Sequence, residues 1–221
     1  MSIADPERAL TIAYAPAAAR SALALLWELD ERLANVVRST KEARLGQIRL
    51  AWWREALARL DTHPAPEEPL LRAIAEVLLP CGVTGATLGR IADGWVVLLS
   101  APPLTETEIA DHATERGAVC FTVAATVLGA AGADLSNAGE VWSLVDLAFH
   151  LRDRPSAEMA LAMARRRVAR DGARRWPRPL RPIGALHSLA VRDAAAGLSV
   201  LREIGSPRRV GRALLHRLTG R

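Results

Sequence analysis

The sequence is short of the residues that stabilise disulfide-rich domains and membrane spans. It has only two cysteines, Cys81 and Cys120, which are too few and too far apart for a disulfide scaffold or a zinc site. No run of about 18 uncharged apolar residues occurs, which argues against a transmembrane helix. Residues 1–8 do not lead from a charged segment into an apolar one, so no signal peptide is expected. We therefore expect a cytoplasmic protein with reduced thiols.

Aromatic residues make up only 4% of the chain, and long β-branched runs are scarce as well. Alanine and leucine dominate the apolar residues instead, and this composition favours helices over strands. A hydrophobic content of 50% excludes a chain that is disordered throughout. From the helix-favouring composition we predict an all-α fold. Because 221 residues are enough to bury one substantial core, we expect a single domain over 1–221.

Prolines, glycines and capping residues divide the chain into helices. A capping box at Thr105 and Glu108 marks the start of a long apolar helix, and Thr84 is placed to cap another. A first helix begins at Asp5-Pro6, and 176–182 is a proline-rich connector. The remaining predicted helices span 16–37, 43–60, 67–79, 84–101, 105–130, 136–151, 155–170, 183–203 and 208–218.

Charge is unevenly distributed along the chain. Residues 152–221 contain 17 arginines against five acidic residues, whereas 1–151 contain 12 basic and 19 acidic residues. This arginine-rich part is a candidate surface for an anionic membrane or an acidic protein, which would make the protein a peripheral one. A solvated charged surface explains the same pattern. No nucleic-acid partner is expected, because Trp176 is the only aromatic side chain near the arginine clusters.

Two adjacent tryptophans, Trp52 and Trp53, lie in the predicted helix over 43–60. Helical spacing puts Leu45, Ile48 and Trp52 on one face and Trp53 with other apolar residues on the next. From this pattern we predict a helix that is buried on most sides. The tryptophans are then either core residues or part of a family signature.

The segment Leu45-Gly46-Gln47-Ile48-Arg49 followed by Trp52-Trp53-Arg54 resembles a signature of squalene and phytoene synthases. Segments 14–23, 123–129 and 147–153 are similar to other parts of the same family. This resemblance implies an isoprenoid-synthase-type helical bundle, here truncated on its C-terminal side. It also implies a site where two aspartate-rich motifs hold Mg²⁺ and prenyl diphosphates.

The residues at the positions of those motifs differ from the family pattern. Ala34, Asn35 and Arg38 stand where the first motif has aspartates, so a cation replaces a metal ligand. In the second motif Asp153 is retained, but Ala157 replaces the acid expected one helical turn later. Loss of these acids resembles the non-catalytic branch of the family, which includes a mitochondrial complex I assembly factor.

Three hypotheses about function follow. The leading one is a catalytically degenerate protein that binds a prenyl lipid or prenyl diphosphate, needs no cofactor and serves in assembly or regulation. The second is an active, divergent Mg²⁺-dependent prenyl transferase. The third is a helical adaptor that docks through 152–221. The candidate residues of the second hypothesis are Asp30, Glu31 and Asp153 as catalytic or metal-binding groups, and Arg20, Arg152, Trp52 and Trp53 as substrate-binding groups.

Two further clusters of polar residues have helical spacing. Asp146, His150 and Asp153 share one helix face, for which we favour a salt-bridged face over a metal site. For Asp111, His112 and Glu115 we favour a solvated face over a functional site. Neither cluster by itself predicts a function.

Overall fold

The computed structural model describes residues 5–171 and 174–221, and these residues form helices and connecting loops without any strand. The all-α prediction is therefore confirmed for the described residues. They contain ten helices, numbered here in chain order: α1 Pro6–Tyr14, α2 Ala17–Ser39, α3 Ala43–Arg59, α4 Pro69–Cys81, α5 Gly85–Leu99, α6 106–127, α7 Ser136–His150, α8 Arg154–Asp171, α9 Arg181–Ala196 and α10 Pro207–Thr219.

The predicted helix starts are confirmed by their capping bonds. Asp5 accepts hydrogen bonds from two backbone amides at the start of α1, and Thr84 accepts one at the start of α5. The capping box of Thr105 and Glu108 is complete. One helix end differs from its prediction, because α9 stops at Ala196 rather than near 203. There Gly197 adopts φ +84°, a left-handed conformation that ends the helix.

The core is centred on α2, α6 and α7. Trp27 of α2 and Phe121 of α6 lie on either side of Trp142 of α7, with ring centroids 5.6 and 5.7 Å from that of Trp142. Helices α6 and α7 approach closely where Gly117 faces Gly139, and a side chain on either glycine would overlap the backbone of the other helix. Helix α2 thus packs against α6 and reaches α7 through Trp27, while α6 and α7 are in backbone contact with each other.

The tryptophan helix α3 is less buried than its sequence pattern predicts. Leu50, Trp53 and Leu57 are buried, but Ile48 is 63% exposed and Trp52 is 48% exposed. Helix α5 packs on one side of α3 through small residues and leaves the opposite side open. The prediction of burial on most sides is therefore wrong, since periodicity does not reveal how many faces the neighbouring helices cover.

Among the described residues, no single helix has both the length and the apolar character of a membrane span. One pair of helices, Pro69–Cys81 and Gly85–Leu99, meets the criteria when taken together, and it is bent by 120° at the break.

We expect Gly139→Ala to destabilise the fold. The added methyl group would lie 2.2 Å from the carbonyl oxygen of Gly117, so the two helices must separate, at a cost of about 2 kcal/mol. Gly211→Ala is the matched control, because it also replaces a glycine inside a helix but its methyl group meets nothing within 4 Å. Urea denaturation should show the loss for Gly139→Ala alone, and equal stabilities would contradict this packing.

Candidate functional site

A cavity of about 880 Å³ opens between the N-terminal helices and α5, α6 and α7. Its volume is within the range of small-molecule sites. Its wall combines apolar side chains with charged ones. The apolar group includes Ala34, Val37, Leu98, Leu147 and Leu151, and the charged group includes Arg8, Glu31, Arg38, Arg116, Asp146 and Arg152.

Arg116 is the charged residue buried most deeply in this wall. Its Nε and Nη2 atoms donate to the two carboxylate oxygens of Asp30 at 2.9 and 3.0 Å. Nη2 also donates to Asp146 at 2.9 Å. One guanidinium therefore joins α6 to α2 and α7 with the fork geometry that suits carboxylates.

Aromatic rings and a second arginine complete this buried charge cluster. The Arg116 guanidinium lies 4.4 Å from the ring centroid of Trp95 and 4.6 Å from that of Trp142. The Trp95 indole donates to Asp30 at 2.8 Å, and Arg8 approaches the other oxygen of Asp30 at 3.0 Å. Both carboxylate oxygens of Asp30 therefore accept hydrogen bonds.

Both carboxylates are held in the ionised form. Burial alone would raise the pKa of Asp30, but the charges of Arg116 and Arg8 and the hydrogen bonds from Arg116 and Trp95 lower it below its ordinary value. Burial opposes ionisation of Asp146 as well, and Arg116 and His150 lower its pKa strongly. The preference for a salt-bridged face over a metal site at Asp146 and His150 agrees with this geometry.

His112 packs beside Arg116 and is fully buried, so the expectation of a solvated face at 111–115 is wrong for this residue. Its Nε2 lies 3.4 Å from a guanidinium nitrogen of Arg116, which can only donate. The ring proton is therefore on Nδ1, which donates to the carbonyl of Gly94 at 2.7 Å. Burial and then Arg116 lower the pKa of His112 to about 4, so the ring is neutral near pH 7.

The positions that the resemblance aligns with the first motif lie at the cavity. Ala34 and Arg38 line it, and Asn35 is exposed next to them. The Arg38 guanidinium donates to Asn35 at 2.7 Å and to the carboxylate of Glu31, which also lines the cavity. The acid at this edge of the cavity is therefore paired with an arginine.

Arg152 and Asp153, which the resemblance aligns with the second motif, both lie in the short loop before α8 but have different surroundings. Arg152 lines the cavity. Asp153 instead accepts hydrogen bonds from the backbone amide and hydroxyl of Ser156, as a helix-capping residue does. Ala157 is buried in the following turn.

Three of the candidate substrate-binding residues are not among the residues that line the cavity. Arg20 donates to the carbonyls of Ala13 and Ala15. Trp53 is a core residue with the Arg32 guanidinium 5.8 Å from its ring centroid, and Trp52 lines a separate groove of about 250 Å³. The geometry does not bring these residues together with Asp30, Glu31 and Asp153.

A sequence model of the squalene/phytoene synthase family matches residues 3–178, which is most of the chain. The chain belongs to the squalene/phytoene synthase family. Comparison with curated proteins and with solved structures gives no match. The family match covers every helix that lines the 880 Å³ cavity.

The side chains of this cavity do not suit the Mg²⁺ that the squalene/phytoene synthase fold implies. Magnesium requires oxygen ligands with open lone pairs in octahedral geometry. Asp30 and Asp146 already accept from arginines, and Glu31 is paired with Arg38. Within 5–171 and 174–221, no group of three His, Cys, Asp or Glu side chains is arranged to hold a metal ion.

The sequence pattern singled out Asp30 and Asp146 but not Arg116, the arginine that binds both of them. Arg116 and Asp30 are 86 residues apart in the sequence, and their local sequence patterns do not predict that they form an ion pair. The available signal was that Arg116 is the only arginine of α6 and stands directly before its apolar half, where a buried charge requires a partner.

We expect Asp30→Asn to lower the free energy of unfolding by about 3 kcal/mol, because it leaves two buried arginines short of one negative charge. Glu31→Gln is the matched control. Its side chain is 37% exposed, and loss of its pairing with Arg38 should cost less than about 1 kcal/mol. Urea denaturation of both variants at pH 7 measures the difference. Similar losses would contradict the dominant role of the buried pair.

We also expect stability to fall as the pH drops from 6.5 to 4. The unfolded chain protonates His112 near pH 6.5, but the folded protein does so only near 4, so acid favours unfolding by up to about 3 kcal/mol for this group. The pKa of His216 is also lowered to about 4, so this group destabilises the fold in acid in the same way. His112→Asn should therefore show a shallower pH dependence of the melting temperature than the wild type, and identical slopes would contradict the assignment.

Proposed function

We propose that this protein binds an isoprenoid with an anionic head group in its central cavity and does not transfer the prenyl chain. The proposal rests mainly on the charge arrangement of the site. An arginine and two uncharged residues stand where family enzymes have the first set of aspartates. The carboxylates that remain in the wall are paired with arginines.

The cavity suits a ligand with an apolar tail. Leu98, Leu147 and Leu151 line it beside Val37, and about 880 Å³ is enough for a prenyl chain. Arg38 and Arg152 line the same cavity, and guanidinium groups bind phosphate oxygens in bidentate fashion. These features support a prenyl diphosphate or a phosphate-bearing prenyl lipid as the ligand.

Binding without turnover is compatible with a role in assembly or regulation. The resemblance to the non-catalytic branch that includes a complex I assembly factor supports such a role. In this proposal the ligand stabilises the folded protein by binding only to it. A protein partner would then recognise the loaded form.

Calorimetric titration with farnesyl diphosphate tests the proposal. We expect binding with similar affinity in Mg²⁺ and in EDTA, because arginines rather than a metal hold the head group. A coupled phosphate assay with pyrophosphatase should detect no released diphosphate. Mg²⁺-dependent binding together with diphosphate release would instead establish the active prenyl transferase.

A variant that fills the cavity shows where the ligand binds. Val37→Trp places an indole into the lining and should weaken binding by about tenfold or more. Val77→Trp is the matched control, because Val77 is 37% exposed and does not line this cavity. Equal affinities of the two variants would contradict binding in the cavity.

A further inference from the structure

The last helix, α10, turns leucines toward solvent. Ala213 and His216 are buried on its inner side, and Ala213 packs there with Ala185 and Leu189 of α9. On the outer side Leu214 is 44% exposed, Leu215 is 47% exposed and Leu218 is 68% exposed. We call these three residues the leucine stripe. Such a group of large apolar side chains in water marks an interaction surface.

Arginines flank the leucine stripe. At 100° per residue, Arg208 and Arg212 fall along one edge of the stripe and Arg217 along the other. Arg221 follows at the end of the chain. The last acidic residue is Glu203, so 204–221 contain no negative side chain. The outer side of α10 is therefore apolar along its middle and cationic at its edges.

Polar contacts at both ends of α10 fix this orientation. In the first turn the Arg209 guanidinium binds the carboxylates of Glu7 and Asp193. At the other end Arg181 of α9 donates to the carbonyls of Arg217 and Leu218, at 3.1 and 2.7 Å. Because both ends are held, α10 cannot turn the leucine stripe inward without breaking these bonds.

A second exposed apolar site lies beside the helix. Leu201 is 82% exposed and Val200 is 54% exposed in the loop that precedes α10. Both border a pocket of about 470 Å³ between this loop and the last two helices. Arg192, Arg208 and Arg212 line the pocket. A phosphate head group could be bound there while the neighbouring apolar side chains remain outside it.

We propose that the leucine stripe and its flanking arginines dock on the surface of an anionic phospholipid bilayer. Helices that lie in a membrane interface combine an apolar face with arginines at its borders, and attraction to anionic lipid adds to apolar burial. The absence of acidic side chains in 204–221 matches a negatively charged membrane. The leucine stripe and its flanking arginines do not line the 880 Å³ cavity, so this proposal does not depend on the ligand proposed there.

Vesicle flotation tests the proposal with the full-length protein. One set of vesicles contains phosphatidylcholine alone, and the other also contains roughly 30 mol% phosphatidylserine. We expect the protein to float with the anionic vesicles only and to be released by high salt, because the attraction between exposed charges is screened. Equal recovery with both vesicle types, or no recovery with either, would overturn the proposal. An excess of inorganic phosphate separates binding to a bilayer from binding of free phosphate, and should leave flotation largely intact.

Two variants assign the binding to this surface. Leu215→Gln with Leu218→Gln should lower the bound fraction at least about tenfold, and Arg208→Gln with Arg221→Gln should abolish the preference for anionic vesicles. The matched controls are Leu45→Gln with Ile48→Gln, and Arg44→Gln with Arg59→Gln, which change exposed residues of α3. Circular dichroism confirms that each variant is folded.

Light scattering distinguishes a membrane surface from a contact between protein copies. If the leucine stripe binds a membrane, both the wild type and the double variant Leu215→Gln with Leu218→Gln are expected to be monomers in solution. A wild-type dimer that this double variant converts to a monomer, without any vesicle binding, would assign the leucine stripe to self-association and overturn the proposal. Retention of full vesicle binding by both variants, with their controls unchanged, would overturn it as well.

Discussion

The structure depends on one buried guanidinium, that of Arg116, which holds Asp30 and Asp146 together. A charge at this depth is tolerated only when its donors are satisfied, and each of these carboxylates supplies acceptor oxygens within 3.0 Å. Since the two carboxylates belong to α2 and α7, the contact fixes how three core helices meet. The rings of Trp95 and Trp142 also pack against the guanidinium, with their centroids 4.4 and 4.6 Å from it. The floor of the cavity is thus an ion cluster rather than an open polar surface.

The same cluster extends to the end of the chain and explains part of the uneven charge distribution. Arg202 lies 3.6 Å from Asp146 and 3.0 Å from Asp193, and Arg209 joins Asp193 to Glu7 near the N-terminus. Arginines of the basic C-terminal part therefore neutralise acids of the acidic N-terminal part. The helices beyond the family match are held to the family scaffold by these ion pairs. The arginines that remain exposed lie on α8 and in the connector that precedes α9, as well as on the outer side of α10.

Local signals predicted the helices well, whereas long-range pairing escaped prediction. The caps at Thr84 and Thr105 act within one turn, so sequence spacing alone was enough to place them. The exposure of Trp52 depends on how much of α3 is covered by α5. The burial of His112 depends on Arg116 one turn later, which is itself paired with Asp30, 86 residues earlier in the sequence. The family signature led to the fold and drew attention to 34–38, three residues of which line the cavity. It did not reveal that the remaining acids of the cavity are paired with arginines.

The arginine pairs of the cavity differ from a magnesium site in the chemistry that they can support. Magnesium bound by aspartates keeps open positions, so it can contact a diphosphate and follow it as negative charge develops during transfer. A guanidinium engaged with two carboxylates has a fixed position and no such capacity, although it balances the same buried charge. Arg38 and Arg152 line the same cavity. In the function proposed above they hold the head group of an isoprenoid, whereas the fixed arginine pairs beside them cannot follow the charge that develops during transfer.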